Sequence, residues 1–337
     1  TKECYANTTS GSTGTPVKYY QHKEGVRLSQ LYADKLLEYV GFSAKDRKAR
    51  ISGVNLIPFS NDKPPFWLYI DKYRQLQLSA YHIKGENCRY YLNAMAKYKA
   101  TFGTGYATAW LFLAEYILKT QITPPALKAI VTDSEGVSVE EQDKIEQAFG
   151  CRVYQTYGLS ETGQLAFQCA KRNYHIVPAV GFAEIIDESG NALAYGESGE
   201  IAITSLIFKK TPFIRYKTGD LGVLGKGACG CGWNTQYLTS IEGRVDDYVL
   251  TTDGRKIGRL SHITKPIKGI VKSQIVQLDI NNIIIRVIPD TDFDEATMQD
   301  AISLAKNYLG DINITYEIAS ELERTKTGKV RYVIRKI

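Results

Sequence analysis

The sequence predicts an α/β fold: a large core of α/β sheet layers with a β-subdomain, followed by a small α+β module at the C-terminal end. Three observations carry this expectation. Leu127–Thr132 (LKAIVT) and Val153–Tyr157 read as buried strands, with a helix over Val139–Phe149 between them and Gly150 at its stop, which is a βαβ signature. From Ala183 to Leu206 the pattern changes to strands separated by Asp187-Glu188-Ser189-Gly190-Asn191 and Gly196-Glu197-Ser198-Gly199, the turn chemistry of a β-subdomain. A boundary near Gly243–Asp247 leaves about 90 residues for a compact module, an ordinary size for a small domain. In that module Gln274–Ile280 and Ile283–Ile288 flank Asn281-Asn282, a hairpin signal in which Asn would supply a positive φ. Asp294 would then cap an amphipathic helix ending at Gly310.

Earlier in the chain, Thr8–Tyr19 is dense in Ser, Thr and Gly and runs into Val17-Lys18-Tyr19-Tyr20, a loop leading into a strand. Helical apolar spacing marks Leu28–Val40, and Ala107–Leu118 reads as a more buried helix. There are no internal repeats. The net charge of +6 over 337 residues is spread among acids, as in Lys45-Asp46-Arg47-Lys48, which argues against a nucleic-acid partner. No run approaches the roughly 20 apolar residues that span a bilayer, and Thr1-Lys2-Glu3-Cys4 lacks the apolar centre of a signal peptide. A soluble, cytoplasmic protein without a membrane partner is expected. Six cysteines are too few and too unevenly spaced for a secreted disulfide framework, so free thiols or a metal site are the alternatives.

Thr9-Ser10-Gly11-Ser12-Thr13-Gly14-Thr15-Pro16, followed by Lys18, offers exposed backbone N–H groups, hydroxyls and a nearby cation, which is how a loop cradles phosphates. It does not fit the Walker pattern of P-loop NTPases, and alone it could equally be a flexible terminus. Four further motifs follow: Tyr157-Gly158-Leu159-Ser160-Glu161-Thr162-Gly163, Arg215-Tyr216-Lys217-Thr218-Gly219-Asp220, Gly243-Arg244-Val245-Asp246-Asp247 and Arg324-Thr325-Lys326-Thr327-Gly328-Lys329. All five, in this order, resemble the motifs of adenylate-forming enzymes, and in particular the phenylacetate-CoA-ligase-like and capsular-polysaccharide-biosynthesis (CapK-like) branch.

The resemblance implies ATP-dependent activation of an aryl or acyl carboxylic acid to an acyl-adenylate, with release of pyrophosphate. Ser10, Gly11, Ser12, Thr13, Gly14, Thr15 and Lys18 would hold phosphates, Tyr157 would pack near the adenine, and Glu161, with Ser160 beside it, would hold Mg²⁺. Asp220 would bind the ribose hydroxyls, since a carboxylate accepts two hydrogen bonds at once. Arg244 would contact the nucleotide and Asp246 would be the hinge between an adenylation core, 1–245, and a mobile lid, 246–337. Lys329 would reach the reacting carboxylate and α-phosphate. Mg²⁺ on Glu161 and the Lys329 ammonium would offset the repulsion between a carboxylate and a phosphate, so catalysis would be positioning and electrostatics. Ser134-Glu135-Gly136 resembles the stretch beside the adenine, and either Arg255 or Lys256, with Lys256 the candidate, would lie near the phosphates. A hydrolase triad is disfavoured, because Ser10 and Ser12 are phosphate-loop residues in this reading. Members of the family carry a sizeable segment before the phosphate loop, whereas this sequence begins almost at it, so it is expected to cover only part of a usual member.

Three thiols and one imidazole, Cys169, His175, Cys229 and Cys231, make a closed tetrahedral set for structural Zn²⁺, although ordinary buried thiols and a Gly/Cys turn would leave the same pattern. The arrangement also resembles a zinc site in some phenylacetate-CoA-ligase-like proteins. Tyr81, His82, Gly105 and Tyr106 occupy the places where the resemblance puts an acyl pocket, and core packing explains them equally well. The acceptor is expected to be CoA, with an amine or hydroxyl acceptor, or a non-catalytic nucleotide-binding role, as alternatives. A homodimer is allowed by the sequence without being read from it.

Overall fold

The computed structural model describes the chain apart from residues 1–3, 9–17, 55, 59–60, 62, 84, 135, 245–248, 253–255, 258–259, 261–263, 265–266, 268 and 324–331, and apart from the side chains of residues 8, 81, 242–244, 256–257, 271–272, 304 and 307–308. An antiparallel pair, β1 (Cys4–Thr8) and β2 (Lys18–His22), opens the fold and leads into helix α1 (Lys23–Tyr39). The α/β region follows as β3 (Lys48–Ser52), β4 (Trp67–Ile70), β5 (Gln75–Ser79), α2 (Asn87–Lys97), β6 (Phe102–Tyr106), α3 (Ala107–Thr120), β7 (Ala129–Asp133), α4 (Val139–Phe149) and β8 (Arg152–Leu159). Antiparallel strands come next: β9 (Gly163–Gln168), β10 (Tyr174–Ile176), β11 (Gly181–Ile186), β12 (Ser198–Ser205), β13 (Tyr216–Leu224) and β14 (Tyr237–Arg244). The C-terminal part holds β15 (Val249–Leu250), β16 (Lys256–Ile257), β17 (Ile270–Asp279), β18 (Asn282–Pro289), α5 (Glu295–Leu309), β19 (Asn313–Ile318) and β20 (Val333–Arg335).

Among the described residues one 12-stranded sheet runs β11-β12-β13-β14-β10-β9-β8-β7-β6-β3-β5-β4. Its β5-β3-β6-β7-β8 part is parallel and the β9-to-β11 part antiparallel. Strand β8 joins the two halves: Arg152–Gln155 pair in parallel with β7, and Thr156–Leu159 pair antiparallel with β9. The chain therefore changes sheet partner beside Tyr157. The small C-terminal domain is a four-stranded sheet, β19-β18-β17-β20, packed with α5 around its own core, which includes Ile275, Ile285, Val287, Met298, Ala301 and Leu309.

One face of the parallel strands buries Ala49, Ile51, Leu76, Leu78, Ile130 and Val153 against α2, α3 and α4. Each such aliphatic side chain contributes roughly 1.5–3 kcal/mol when fully buried, so this face holds the core together. Helix α3 buries Ala107, Ala109, Trp110, Leu111, Leu113, Ala114 and Ile117 and leaves Phe112, Glu115 and Lys119 exposed on one stripe; Trp110 is fully buried with its indole N–H donating to the Thr104 carbonyl at 3.1 Å. Helix α4 starts with a Ser138–Glu141 capping box and ends at Gly150 with φ 65°, where the sequence placed its stop.

Two expectations need correction. Helix α1 begins at Lys23, five residues before Leu28, because its first turn (Lys23, Glu24) is exposed and carries no apolar period; Gly25 within that turn lets the helix approach the Ile207 carbonyl, where a Cβ would come within 2.8 Å. The β17–β18 turn needs no positive φ: Asp279 pairs with Asn282, and the Asp279 carboxylate accepts from the Asn281 backbone N–H and the Asn282 amide at 2.8 and 2.9 Å. A register shift between Gln277 and Asp279 absorbs the mismatch that an ordinary turn makes with strand twist.

Candidate functional site

The carboxyl ends of the parallel strands carry the site. The pivot in β8 puts Tyr157 opposite β9 and within reach of β13, where its hydroxyl donates to Asp220 at 2.8 Å and lies 3.4 Å from the Thr218 hydroxyl. Asp220 faces Arg244 directly across the β13–β14 ladder. In the turn after β8, Glu161 is only 6% exposed; one carboxylate oxygen accepts from Tyr216 Oη at 3.0 Å and the other from Ser160 Oγ at 3.1 Å. No Lys, Arg or His lies at ion-pair distance from Glu161 among the described residues. A buried carboxylate held only by neutral hydroxyls keeps an uncompensated charge, which suits a cation brought by a ligand.

Strand β2 supplies the wall on this side. Gln21 donates its amide to the Ser160 carbonyl at 2.6 Å, and Tyr19, 2% exposed, packs edge-on to Phe213, which packs edge-on to Tyr216. Burial pushes the Tyr19 phenol up against a hydrogen bond to Ser160, and the Glu161 charge adds to the rise. Lys18 pairs with Thr8, so the two strands emerge side by side at the ends of the 9–17 segment.

A cavity of about 400 Å³ lies under α1 against the other face of the parallel strands. Arg50 and Asp133 form a two-pronged ion pair across it, 2.7 and 3.3 Å. Ser134, with φ 66°, turns its hydroxyl onto Asp133 at 2.9 Å.

At the other end of β9 a second cluster forms. The order β14-β10-β9 brings Cys169, just past β9, and His175, on β10, beside the β13–β14 loop carrying Cys229 and Cys231. The four ligand atoms lie within 4.8 Å of one another, with Cys169 and Cys229 sulfurs 3.8 Å apart and Cys231 Sγ 3.1 Å from His175 Nε2. His175 Nδ1 lies 3.0 Å from the Thr235 hydroxyl, which turns Nε2 inward. The Asn173 amide donates to Cys229 at 3.2 Å and the Trp233 backbone N–H to Cys231 at 3.4 Å. Burial pushes the Cys169 thiol up to about 11 and the His175 imidazole down.

Of the residues singled out in the sequence, Tyr157, Ser160, Glu161 and Asp220 come together, and so do the three cysteines and His175. Ser10–Thr15, Glu135, Asp246 and Lys329 lie outside the described residues, as do the side chains of Tyr81, Arg244 and Lys256. The expected acyl-side residues sit differently. His82 is 4% exposed, stacked on Phe66 and engaged by Ser79 and the Pro58 carbonyl. Gly105, at φ 105°, is required by close backbone approach, since a Cβ there would stand 1.9 Å from the Ile51 carbonyl oxygen, and Tyr106 packs against the helix-covered core. His82, Gly105 and Tyr106 are not among the described residues lining the 400 Å³ cavity. Sequence reasoning missed Tyr19, Gln21, Tyr216, Arg50 and Asp133. Only Tyr216, inside a motif, carried a local signal.

A parallel sheet feeding an antiparallel half at one pivot strand, with acids and tyrosines at the strand ends and a small C-terminal domain, defines the fold of adenylate-forming ligases. Residues 79–207 match the AMP-binding enzyme family and residues 249–336 the CapK C-terminal domain. These two matches, with the relatives below, support a place in the adenylate-forming superfamily, on its CapK-like and phenylacetate-CoA-ligase-like side. It is 27% identical to Protein CapK of Staphylococcus aureus over 343 residues, 98% of this chain and 74% of that protein. It is 29% identical to the phenylacetate-coenzyme A ligase of Thermus thermophilus over 145 residues, 41% of this chain and only 33% of the ligase. Among solved structures, 2-hydroxyisobutyryl-CoA ligase in the postadenylation state superposes with a TM-score of 0.71 at 19% identity, covering 99% of this chain and 74% of that one. No helix among the described residues is long and apolar enough to cross a membrane.

Proposed function

We propose that this chain uses ATP to activate a carboxylic acid as its acyl-adenylate and then transfers the acyl group to CoA. The observation that carries the reading is the assembly of Tyr157, Glu161, Tyr216 and Asp220 at the carboxyl ends of the parallel strands, where α/β sheets bind ligands. A carboxylate oxygen of the acid attacks the α-phosphorus, the bond to the bridging oxygen of the β-phosphate breaks, and pyrophosphate leaves. The CoA thiol, losing its proton, then attacks the acyl carbonyl and AMP leaves.

Asp220 takes the ribose hydroxyls and Tyr157, anchored on it, presents its ring to the adenine. Glu161 fits Mg²⁺, which would supply charge neutralisation at the phosphates. Tyr216 and Ser160 fix the carboxylate for that purpose. The 9–17 loop holds phosphates, with Lys18 at its foot; Ser134 and Glu135 lie beside the adenine, and Arg244 and Lys256 contact the nucleotide. Residues 246–337 act as a lid turning about Asp246 to bring Lys329 to the reacting oxygens.

The Cys169, His175, Cys229 and Cys231 set fits structural Zn²⁺. A sulfur–sulfur distance of 3.8 Å is close to the edge of a tetrahedron with metal–sulfur bonds of about 2.3 Å, and N–H donors already reach two of the sulfurs. With no position left open, the ion would fasten β9, β10 and the β13–β14 loop together.

Carboxylate-dependent exchange of labelled pyrophosphate into ATP, run over a library of acids, tests the first half-reaction. Exchange is expected with at least one acid class and is expected to fall steeply in Lys329→Ala while ATP binding persists. Tight ATP binding without exchange for any acid would favour a non-catalytic nucleotide-binding role. Thioester formation with CoA, against amide or ester formation with amine or hydroxyl acceptors, tests the second half-reaction.

A further inference from the structure

We propose that the acid this chain activates is hydrophilic, a small carboxylic acid whose tail carries uncharged hydrogen-bonding groups, hydroxyls above all, and that this tail occupies the cavity between α1 and the parallel strands. The inference rests on the adenylation reading and narrows its substrate.

Position comes first. Thr156, Asp133 and Gln164 line the cavity; Thr156 precedes Tyr157, Asp133 precedes Ser134, and Gln164 pairs with Gly158 across β8 and β9. The cavity lining is thus contiguous along the chain with the nucleotide cluster, so an acid that meets a nucleotide held at Tyr157 and Asp220 would have its tail beside these three residues. At about 400 Å³ the space is in the range of small-molecule pockets.

Chemistry comes second. Central strands of parallel sheets are normally apolar on both faces. Here Lys48-Ala49-Arg50-Ile51 and Gln75-Leu76-Gln77-Leu78 alternate, sending the aliphatic residues to the helix-covered core and the polar ones into the cavity. Two thirds of the lining side chains are polar or charged. The charges balance: Arg50 pairs with Asp133, while Lys48, over the Phe42 ring at 5.2 Å, and Asp34, accepting from Gln30 at 3.1 Å, carry opposite signs. The lining as a whole therefore favours neither an anionic nor a cationic tail. The Gln164 amide and the Thr104 hydroxyl, the latter on a residue 5% exposed, make no side-chain hydrogen bond to the protein among the described residues. An aryl tail such as that of phenylacetate would strip water from both groups and return nothing, whereas a hydroxylated tail replaces the lost bonds. Sites built to bond a hydroxyl discriminate strongly against the analogue lacking it.

The test is pyrophosphate exchange by the full natural protein with acids matched in carbon skeleton and differing in hydroxylation: phenylacetate against mandelate, hexanoate against gluconate. The hydroxylated member of at least one pair is expected to exceed its plain partner by roughly tenfold or more in kcat/KM. Gln164→Leu combined with Thr104→Val should lower that ratio by a similar factor, and Thr104→Ser, which keeps the hydroxyl and is the gentler change for folding, should preserve it. Preference for the plain acids in both pairs, or a ratio unmoved by the double variant, overturns the hydrophilic-substrate inference and leaves adenylation standing. Exchange with none of these acids and with no acid of the wider library removes the adenylation reading and this inference with it.

Discussion

Strand β9 carries a different kind of cluster at each end. Before it, Glu161 sits buried with a charge that nothing in the described protein neutralises. After it, Cys169 joins a set of four ligand atoms that converge within 4.8 Å of one another. The first arrangement keeps capacity in reserve for something that arrives and leaves, and the fold bears the cost of a buried carboxylate to do so. The second closes on itself and has nothing to offer a substrate. The contrast teaches that burial alone does not mark a working group; the decisive feature is whether its partners leave its charge or coordination unsatisfied.

The contrast can be broken by substitution at either end. Glu161→Ala should reduce exchange on the order of 100-fold or more, the scale seen when one preorganised electrostatic group is removed from an active site. Its thermal midpoint should hold or rise, because an uncompensated buried charge is removed. A clear fall in midpoint with exchange retained would assign Glu161 to the fold. Cys231→Ser should do the reverse. Metal analysis should show about one zinc per chain falling to none, and the midpoint should drop by roughly 5 °C or more, given about 2–4 °C per kcal/mol in larger domains. At temperatures where the variant stays folded, exchange should stay within a few-fold of the parent.

Tyr216→Phe sharpens the comparison at smaller scale. It removes one of the two hydroxyls fixing Glu161 and leaves the ring against Phe213. A hydrogen bond to a carboxylate is worth about 1.5–3 kcal/mol, so the Mg²⁺ concentration needed for half-maximal exchange should rise by roughly tenfold or more. An unchanged Mg²⁺ dependence would show that Tyr216 serves packing alone.

Much of this was legible in the sequence, for physical reasons that differ by region. Helix α4 announced itself through Ser138, Glu141 and Gly150, because caps and stops are local chemistry. Tyr157, Glu161 and Asp220 were readable through motifs that resemble those of a known family, and Cys169, His175, Cys229 and Cys231 through the chemistry of a three-thiol, one-imidazole donor set. Gln21 and Tyr19 were not, since they reach Ser160 from some 140 residues away through the β1–β2 pair. The polar face of β3 and β5 was equally hidden. Lys-Ala-Arg-Ile and Gln-Leu-Gln-Leu look like ordinary half-exposed edge strands until β3 is known to lie between β6 and β5 in parallel. His82 and Gly105 stayed ambiguous in the sequence because a residue beside a family motif can be there for packing, and both make packing or backbone contacts here.

Asp46 is a carboxylate of the opposite kind to Glu161 and yields the smallest effect. It is as buried, at 6% exposed, but it accepts from the Ser43 backbone N–H and hydroxyl, the Thr101 hydroxyl and the Lys128 ammonium, the last at 2.8 Å. Burial alone would raise its pKa; the Lys128 bond, followed by those from Thr101 and Ser43, outweighs it and holds the carboxyl at about 2, down from 3.8. A pKa lower in the folded than in the unfolded chain means stability that is fully present above about pH 4 and is lost as pH falls through 2. Asp46→Asn should therefore cost about 1–2 kcal/mol near neutrality, since Lys128 is half exposed and much of the pair is screened. In denaturant titrations the gap between parent and variant should narrow as pH falls from 4 toward 2, while exchange per folded molecule stays at the parental value. A gap that does not narrow would mean Asp46 acts through shape rather than charge, and a loss of exchange would place it at the site, erasing the distinction between a carboxylate committed to the fold and one held open for a cation.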